Sequence, residues 1–156
     1  MEEQNTTIIL GDDRGLYIDT NIETYIRKFN QLEMKSSKIG WNWCAFLFNT
    51  SWMLYRKLYG YALFFFFAPV LLDIILLLIS PTEWFYLVTS GICSLGLLVC
   101  GGLYSDYWYK QKIDKLVRDG INLTGEEKDK HIKKGGTNVP LLALFMLITF
   151  FVNLYL

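Results

Sequence analysis

The run Tyr59 to Ile79, YGYALFFFFAPVLLDIILLLI, constrains the fold more than any other stretch: twenty-one residues carry a single charge, Asp73, in a chain of only 156. Wound as a helix at about 1.5 Å per residue, it reaches roughly 31 Å and matches a hydrocarbon core of about 30 Å. It is predicted to be a first membrane span, with a kink at Pro69. The turn Ser80, Pro81, Thr82, Glu83 is short enough to force an antiparallel return, and Trp84 to about Leu103 supplies a second span. Asn138 to Leu156 offers a third apolar run of nineteen residues, just enough to cross. A hydrophobic share of 53% and a positive mean hydropathy agree with an all-α membrane protein.

Ahead of these runs lies Trp41 to Tyr55, fifteen apolar and Trp-rich residues that stop at Arg56 and Lys57. At roughly 22 Å such a helix is short for a span, so it is predicted to be interfacial or re-entrant. Asn42, Asn49 and Arg56 recur every seven positions and form one stripe with Lys38, facing either headgroups or protein. Trp41, Trp43, Trp52, Tyr55 and Tyr59 carry an apolar ring with a polar edge and suit the water–lipid boundary.

The string WNWCAFLFNTSWMLYRKLY resembles the signature of a family of small bacterial membrane proteins catalogued as domain of unknown function 2628, in which Trp-Asn-Trp, Ala-Phe and Trp-x-x-Tyr-Arg-Lys-x-Tyr precede transmembrane helices. TYIRKF at Thr24 to Phe29, LYSDYWYKQKIDKL at Leu103 to Leu116 and KKGGT at Lys133 to Thr137 extend the likeness over most of the chain after about residue 20. Asp106 stands where the pattern has Asn, and Cys44 where Ala is more usual. The resemblance implies an architecture and a bacterial origin, and no activity.

Five segments follow: 1–40, a cytoplasmic amino segment; 41–58, the interfacial helix; 59–104, a transmembrane hairpin; 105–137, a cytoplasmic helical loop; and 138–156, the third span. The amino end has neither the basic start nor the long apolar core of a secretory signal and is expected to stay untranslocated. Met1 to Asp19 reads as an irregular lead-in. Thr20 and Glu23 have capping-box spacing, and Ile22, Tyr25, Ile26, Phe29 and Leu32 then form an amphipathic helical stripe that needs a partner. The second span is predicted to continue to Asp119 with Gly120 as its stop. Thr124 with Glu127 opens a short charged helix ended by Gly135 and Gly136.

Orientation follows from charge. Seven basic residues precede the first span and eight lie between spans two and three, which accounts for all fifteen; the Ser80 to Glu83 turn and the carboxyl end carry none. The positive-inside rule then places the amino segment and long loop in the cytoplasm and the carboxyl end outside, in a multi-pass protein of the bacterial inner membrane.

Asp73 is the one carboxylate inside a predicted span, where an unpaired charge costs on the order of 3 kcal/mol. Thr89, Ser90, Thr149 and Asn153 lie at matching depth as partners. Asp73 is expected to be a polar clasp between helices, with ion or proton movement as the alternative. Thr89, Cys93, Gly96 and Cys100 place small side chains on one face of the second span, a packing seam. Cys44, Cys93 and Cys100 lack disulfide or zinc-ribbon spacing and read as packing residues. His131 reads as a solvated residue of the charged helix, and Glu126 with Glu127 has no further metal ligands nearby. Neither a nucleophile with its base nor a phosphate-cradling Gly loop is present, so no catalysis and no cofactor are expected.

Arg56, Lys57, Lys110 and Lys112 are candidates for holding anionic lipid headgroups. Interleaved acidic residues disfavour nucleic acid. The composite expectation is an integral membrane protein with a structural, regulatory or partner-binding role, in contact with the bilayer and with a membrane-protein partner or a second copy of itself. Alternatives are a subunit of an oligomeric small-ion or solute transporter built around Asp73, and a membrane protein of the immunity or phage-exclusion type.

Overall fold

The computed structural model describes residues 13–80 and 82–155, and every regular element among them is helical. Residues 13–17 form a single turn, α1. The longer elements are α2 (Ile22–Met34), α3 (Trp43–Tyr55), α4 (Tyr59–Ile79), α5 (Glu83–Gly120), α6 (Gly125–Ile132) and α7 (Val139–Tyr155).

Helix α5 is the spine. Its 38 residues extend about 57 Å, close to twice a hydrocarbon core. Thr82 opens it, its hydroxyl accepting from the Phe85 N–H at 3.3 Å. The first half is apolar and largely bare; the second half, from Gly101 to Gly120, is where its buried residues lie. There Ser105, Asp106, Tyr109, Ile113 and Val117 share one face at helical spacing. Tyr25 and Phe29 of α2, Trp52 and Met53 of α3, Leu58, and Phe65 of α4 join Tyr109, Ile113 and Val117 in one core. The core therefore sits in a cap at one end of the hairpin. The amphipathic stripe of α2 finds its partner here, with Tyr25, Phe29 and Leu32 buried and Ile22 left exposed.

Among the described residues two helices, α4 and α5, are long and apolar enough to cross a membrane. In their most apolar stretches only 17% and 11% of residues are buried, so these lengths are exposed rather than enclosed as a soluble core would be. Helix α7 is equally apolar but shorter. Its 17 residues reach about 25 Å, less than the expected third span needs unaided.

Several expectations are corrected. Thr20 does not cap α2: Asn21 does so from a left-handed φ of 57° without a side-chain bond, while the Thr20 hydroxyl lies 3.5 Å from that of Tyr55. Asp13 to Asp19 is no loose lead-in, since Arg14, Tyr17 and Ile18 are among the most buried residues; Met1 to Asp12 lies outside the described residues. His131 is buried as well, its ring edge-on to Tyr17 at 5.9 Å with Nε2 3.0 Å from the Leu116 carbonyl oxygen. The seam of close approach on α5 is displaced. A Cβ on Gly96 would meet nothing within 4 Å, whereas one on Gly101 would lie 2.7 Å from the Asn49 amide and one on Gly102 3.0 Å from Phe46. Helix α3 crosses there, close to where its own helix is broken at Asn49.

Candidate functional site

The Trp-Asn-Trp segment enters the cap by its backbone and by Asn42. The N–H groups of Gly40 and Asn42 donate to the carbonyls of Leu103 and Gly102, both at 2.9 Å, fixing the approach to α5. Asn42 Oδ1 accepts from the Ala45 N–H at 3.1 Å and so caps α3, while Nδ2 donates to Asp106 Oδ1 at 2.7 Å. Lys28 Nζ donates to Asp106 Oδ2 at 2.7 Å and to the Trp41 carbonyl at 3.2 Å. One carboxylate thereby ties α2, α3 and α5. Burial pushes Asp106 above the ordinary carboxylate range, against the pull of Lys28 and Asn42.

A second charged cluster joins α1, α2 and α5. Arg14 Nε donates to Asp114 Oδ1 at 2.6 Å and Nη2 to Glu33 Oε1 at 2.7 Å, and Lys110 reaches the same two carboxylates at 2.6 and 2.9 Å. Partial burial works against ionisation of Glu33, yet the bonds from Arg14 and Lys110 hold it below its ordinary value. Lys110, a headgroup candidate by sequence, is thus occupied within the cap.

Arg56 is the centre of the cap and is 1% exposed. Its guanidinium carbon lies 4.4 Å from the ring centre of Tyr25, 5.1 Å from Tyr109 and 5.2 Å from Tyr55, a cage of three phenol rings. Nη1 donates to Tyr109 Oη at 3.4 Å and Nη2 to the Thr20 carbonyl at 3.3 Å; Asp19 stands 3.9 Å away. Burial keeps the Tyr109 phenol protonated well above its usual range, so it donates onward to the Gly135 carbonyl at 3.2 Å. Asp19 is desolvated in part, but two bonds from Thr137 and the Arg56 charge hold it low.

The eight motif residues divide by environment. Asn42, Trp52 and Arg56 turn inward, as does Asn49, so the polar stripe faces protein; Trp52 packs edge-on to Tyr109 at 6.2 Å. Lys38 departs from the stripe and is exposed over the Tyr107 ring. Trp41, Trp43 and Tyr59 are exposed, and Tyr55 and Lys57 half-buried. Trp41, Trp43 and Phe46 form a cluster at 5.1 to 6.0 Å between ring centres. Tyr59 accepts from Asn138 Nδ2 at 2.9 Å, and the Asn138 N–H donates to the Tyr55 carbonyl at 2.8 Å, which anchors the start of α7.

Beside the cage lysines gather. Lys112 Nζ donates to the carbonyls of Arg56 and Lys57 at 2.9 and 3.4 Å, and Lys57 Nζ to the Lys133 carbonyl at 2.6 Å. Lys57, Lys112, Lys130, Lys133 and Lys134 border one concavity of about 550 Å³. Desolvation, then Lys57 and Arg56, pulls Lys112 down to about 8.

Of the four partners named for Asp73, one meets it: Ser90 Oγ donates to Asp73 Oδ1 at 2.5 Å. Thr89, Thr149 and Asn153 bond instead to carbonyls of their own helices. Sequence reasoning missed Tyr109 as the hub of the cap; the spacing of Asp106, Tyr109, Ile113 and Val117 carried that signal beneath the aromatic and basic residues around it. It also missed Arg14, for which a lone cation in a polar segment offers none.

No curated protein and no solved structure matches the chain. A family model, described as "Protein of unknown function (DUF2628)", matches residues 14–115, from the Arg14 cluster through the Trp-rich helix and hairpin to the second half of α5. With the match covering well over half of its length, the chain belongs to the DUF2628 family.

Proposed function

We propose that this is a multi-pass protein of the bacterial inner membrane, with the cap in the cytoplasm, that works by binding a partner and not by catalysis. The bareness of α4 and of the first half of α5 carries the reading, because uncovered apolar helices of this length require lipid or another protein around them. Helix α7 serves as the third crossing, its short length met by local thinning of the bilayer. Trp43, Leu47 and Phe48 form an exposed apolar face on α3 beside the bilayer, where a membrane-protein partner or a second copy can pack. Arg14, Lys28, Arg56 and Lys110 are engaged in holding the cap together, as a rigid platform demands.

Topology is tested with single reporter cysteines in a background where Cys44, Cys93 and Cys100 are serine. Thr82→Cys is expected to react with an impermeant maleimide in intact cells, and Lys128→Cys only after permeabilisation. The reverse pattern would overturn the orientation.

The bond from Ser90 favours Asp73 as a clasp over its role in a transporter. Asp73→Asn retains an acceptor for Ser90 and is expected to change stability in mild detergent by less than about 1 kcal/mol. Ion flux in reconstituted vesicles that Asp73→Asn abolishes would favour transport instead.

A further inference from the structure

We propose that the concavity bordered by Lys57, Lys112, Lys130, Lys133 and Lys134 holds the phosphate headgroup of an anionic phospholipid, whose acyl chain lies along an aromatic groove on α4 and α5. The inference rests on the membrane reading above and names a ligand and a site for it.

Three observations converge. The lysine concavity has no Asp or Glu in its lining, and it is continuous with a larger groove of about 810 Å³ through the shared residues Lys57, Tyr59 and Lys112. That groove is walled by Tyr61, Phe64 and Phe65 of α4 and by Cys100 and Trp108 of α5. Tyr61, Phe64 and Phe65 lie on one face, so an apolar wall begins at the lysines and runs down α4 into the bare belt over about 9 Å. A phosphate at the cap and a chain in the belt fit that order.

Two of the five lysines, Lys57 and Lys112, are held in place without being neutralised. Among the described residues, none of Lys57, Lys112, Lys133 or Lys134 has a carboxylate partner, while Lys130 has a loose, exposed one in Glu126 at 3.4 Å. Backbone carbonyls orient the Lys57 and Lys112 ammonium groups but leave their charge uncompensated. Burial first, and then the charges of Lys57 and Arg56, lower the affinity of Lys112 for its proton. Lys57 also occupies a left-handed position, φ 56°, where glycine would be less strained, so its side chain is kept at a conformational cost.

A free phosphate would have no use for the aromatic wall, and an apolar peptide none for the lysines. Lys57→Gly removes the ammonium while easing the backbone, and Lys112→Met keeps the length of the stem. Full-length protein in neutral detergent is titrated with phosphatidylglycerol or phosphatidylcholine, and bound lipid is counted by native mass spectrometry. Phosphatidylglycerol is expected to bind at least tenfold more tightly than phosphatidylcholine. Each lysine variant is expected to weaken phosphatidylglycerol roughly fivefold and to leave phosphatidylcholine unchanged, with the exposed Lys35→Gln as an inert control. Equal binding of the two lipids, or losses no greater than for Lys35→Gln, would overturn the site while leaving the membrane reading intact. Displacement of the lipid by millimolar inorganic phosphate would overturn the lipid in favour of a soluble anion. A chain that stays monomeric in water without detergent would overturn the membrane reading itself.

Discussion

Arg56→Ala is expected to cost on the order of 3–5 kcal/mol, comparable to truncating a large aromatic in a close-packed core. The side chain is fully enclosed, so its removal leaves a void between Tyr25, Tyr55 and Tyr109 that the rings cannot close without abandoning the positions their own contacts set. Tyr109 keeps its bond to Gly135, but the Thr20 carbonyl loses a donor and Asp19 its nearby cation. Two effects are mixed in that loss, volume and charge, and Arg56→Met separates them. Methionine restores much of the volume and offers sulfur–ring contacts of about 0.3–1.5 kcal/mol, and it spares the protein the desolvation of a buried charge. It is expected to recover about half of the deficit. Heating in mild detergent, followed by the fraction that remains monodisperse, reads the order wild type, Met, Ala. A Met variant as unstable as Ala would mean that the cation between the rings, not its bulk, holds the cap.

Arg56 also shows what the sequence makes legible. Spacing placed Asn42, Asn49 and Arg56 on one face, because a seven-residue repeat fixes the side of a helix whatever lies opposite it. Which surroundings that face meets is a tertiary matter, and the structure turns it into protein, against Gly101, Asp106 and Tyr109. The apolar lengths of α4 and α5 were readable for the same reason, since length and hydropathy are local properties. Lys110 and Lys112 illustrate the limit. Two positions apart on α5, they look alike in sequence, yet Lys110 meets Glu33 and Asp114 while Lys112 meets only carbonyls and cations. Glu33 is contributed by α2, far away along the chain, and no local pattern announces that pairing. The small-residue seam failed similarly. Thr89, Cys93, Gly96 and Cys100 satisfy the spacing, but α3 crosses α5 at the adjacent Gly101 and Gly102, and the Asn42 N–H donates to the Gly102 carbonyl.

Gly135→Ala is the second substitution with a large expected effect. In sequence, Gly135 and Gly136 look like a paired helix stop, and glycine's freedom of φ would be the reason for both. Gly125 is the glycine among the described residues with a left-handed φ, so Gly135 is not required for its torsion. It is required for space: a Cβ there would clash with the Tyr17 carbonyl oxygen and lie 2.8 Å from the Tyr17 Cβ and 3.2 Å from Ile113. The first of these is backbone and belongs to a buried residue of α1, so neither side can swing away. A loss of about 1–3 kcal/mol is expected, the usual cost of overpacking. Gly136→Ala is the milder comparison, because the nearest atoms to its added Cβ belong to the Asp19 side chain and not to backbone, and a smaller loss than for Gly135→Ala is expected there. Because the Gly135 carbonyl accepts from Tyr109 and Tyr109 in turn accepts from Arg56, the effects of Gly135→Ala and Arg56→Met are expected to be non-additive by at least about 0.5 kcal/mol. Strict additivity would show that the cage and the Tyr17–Gly135 contact are independent, and that Tyr109 does not couple them.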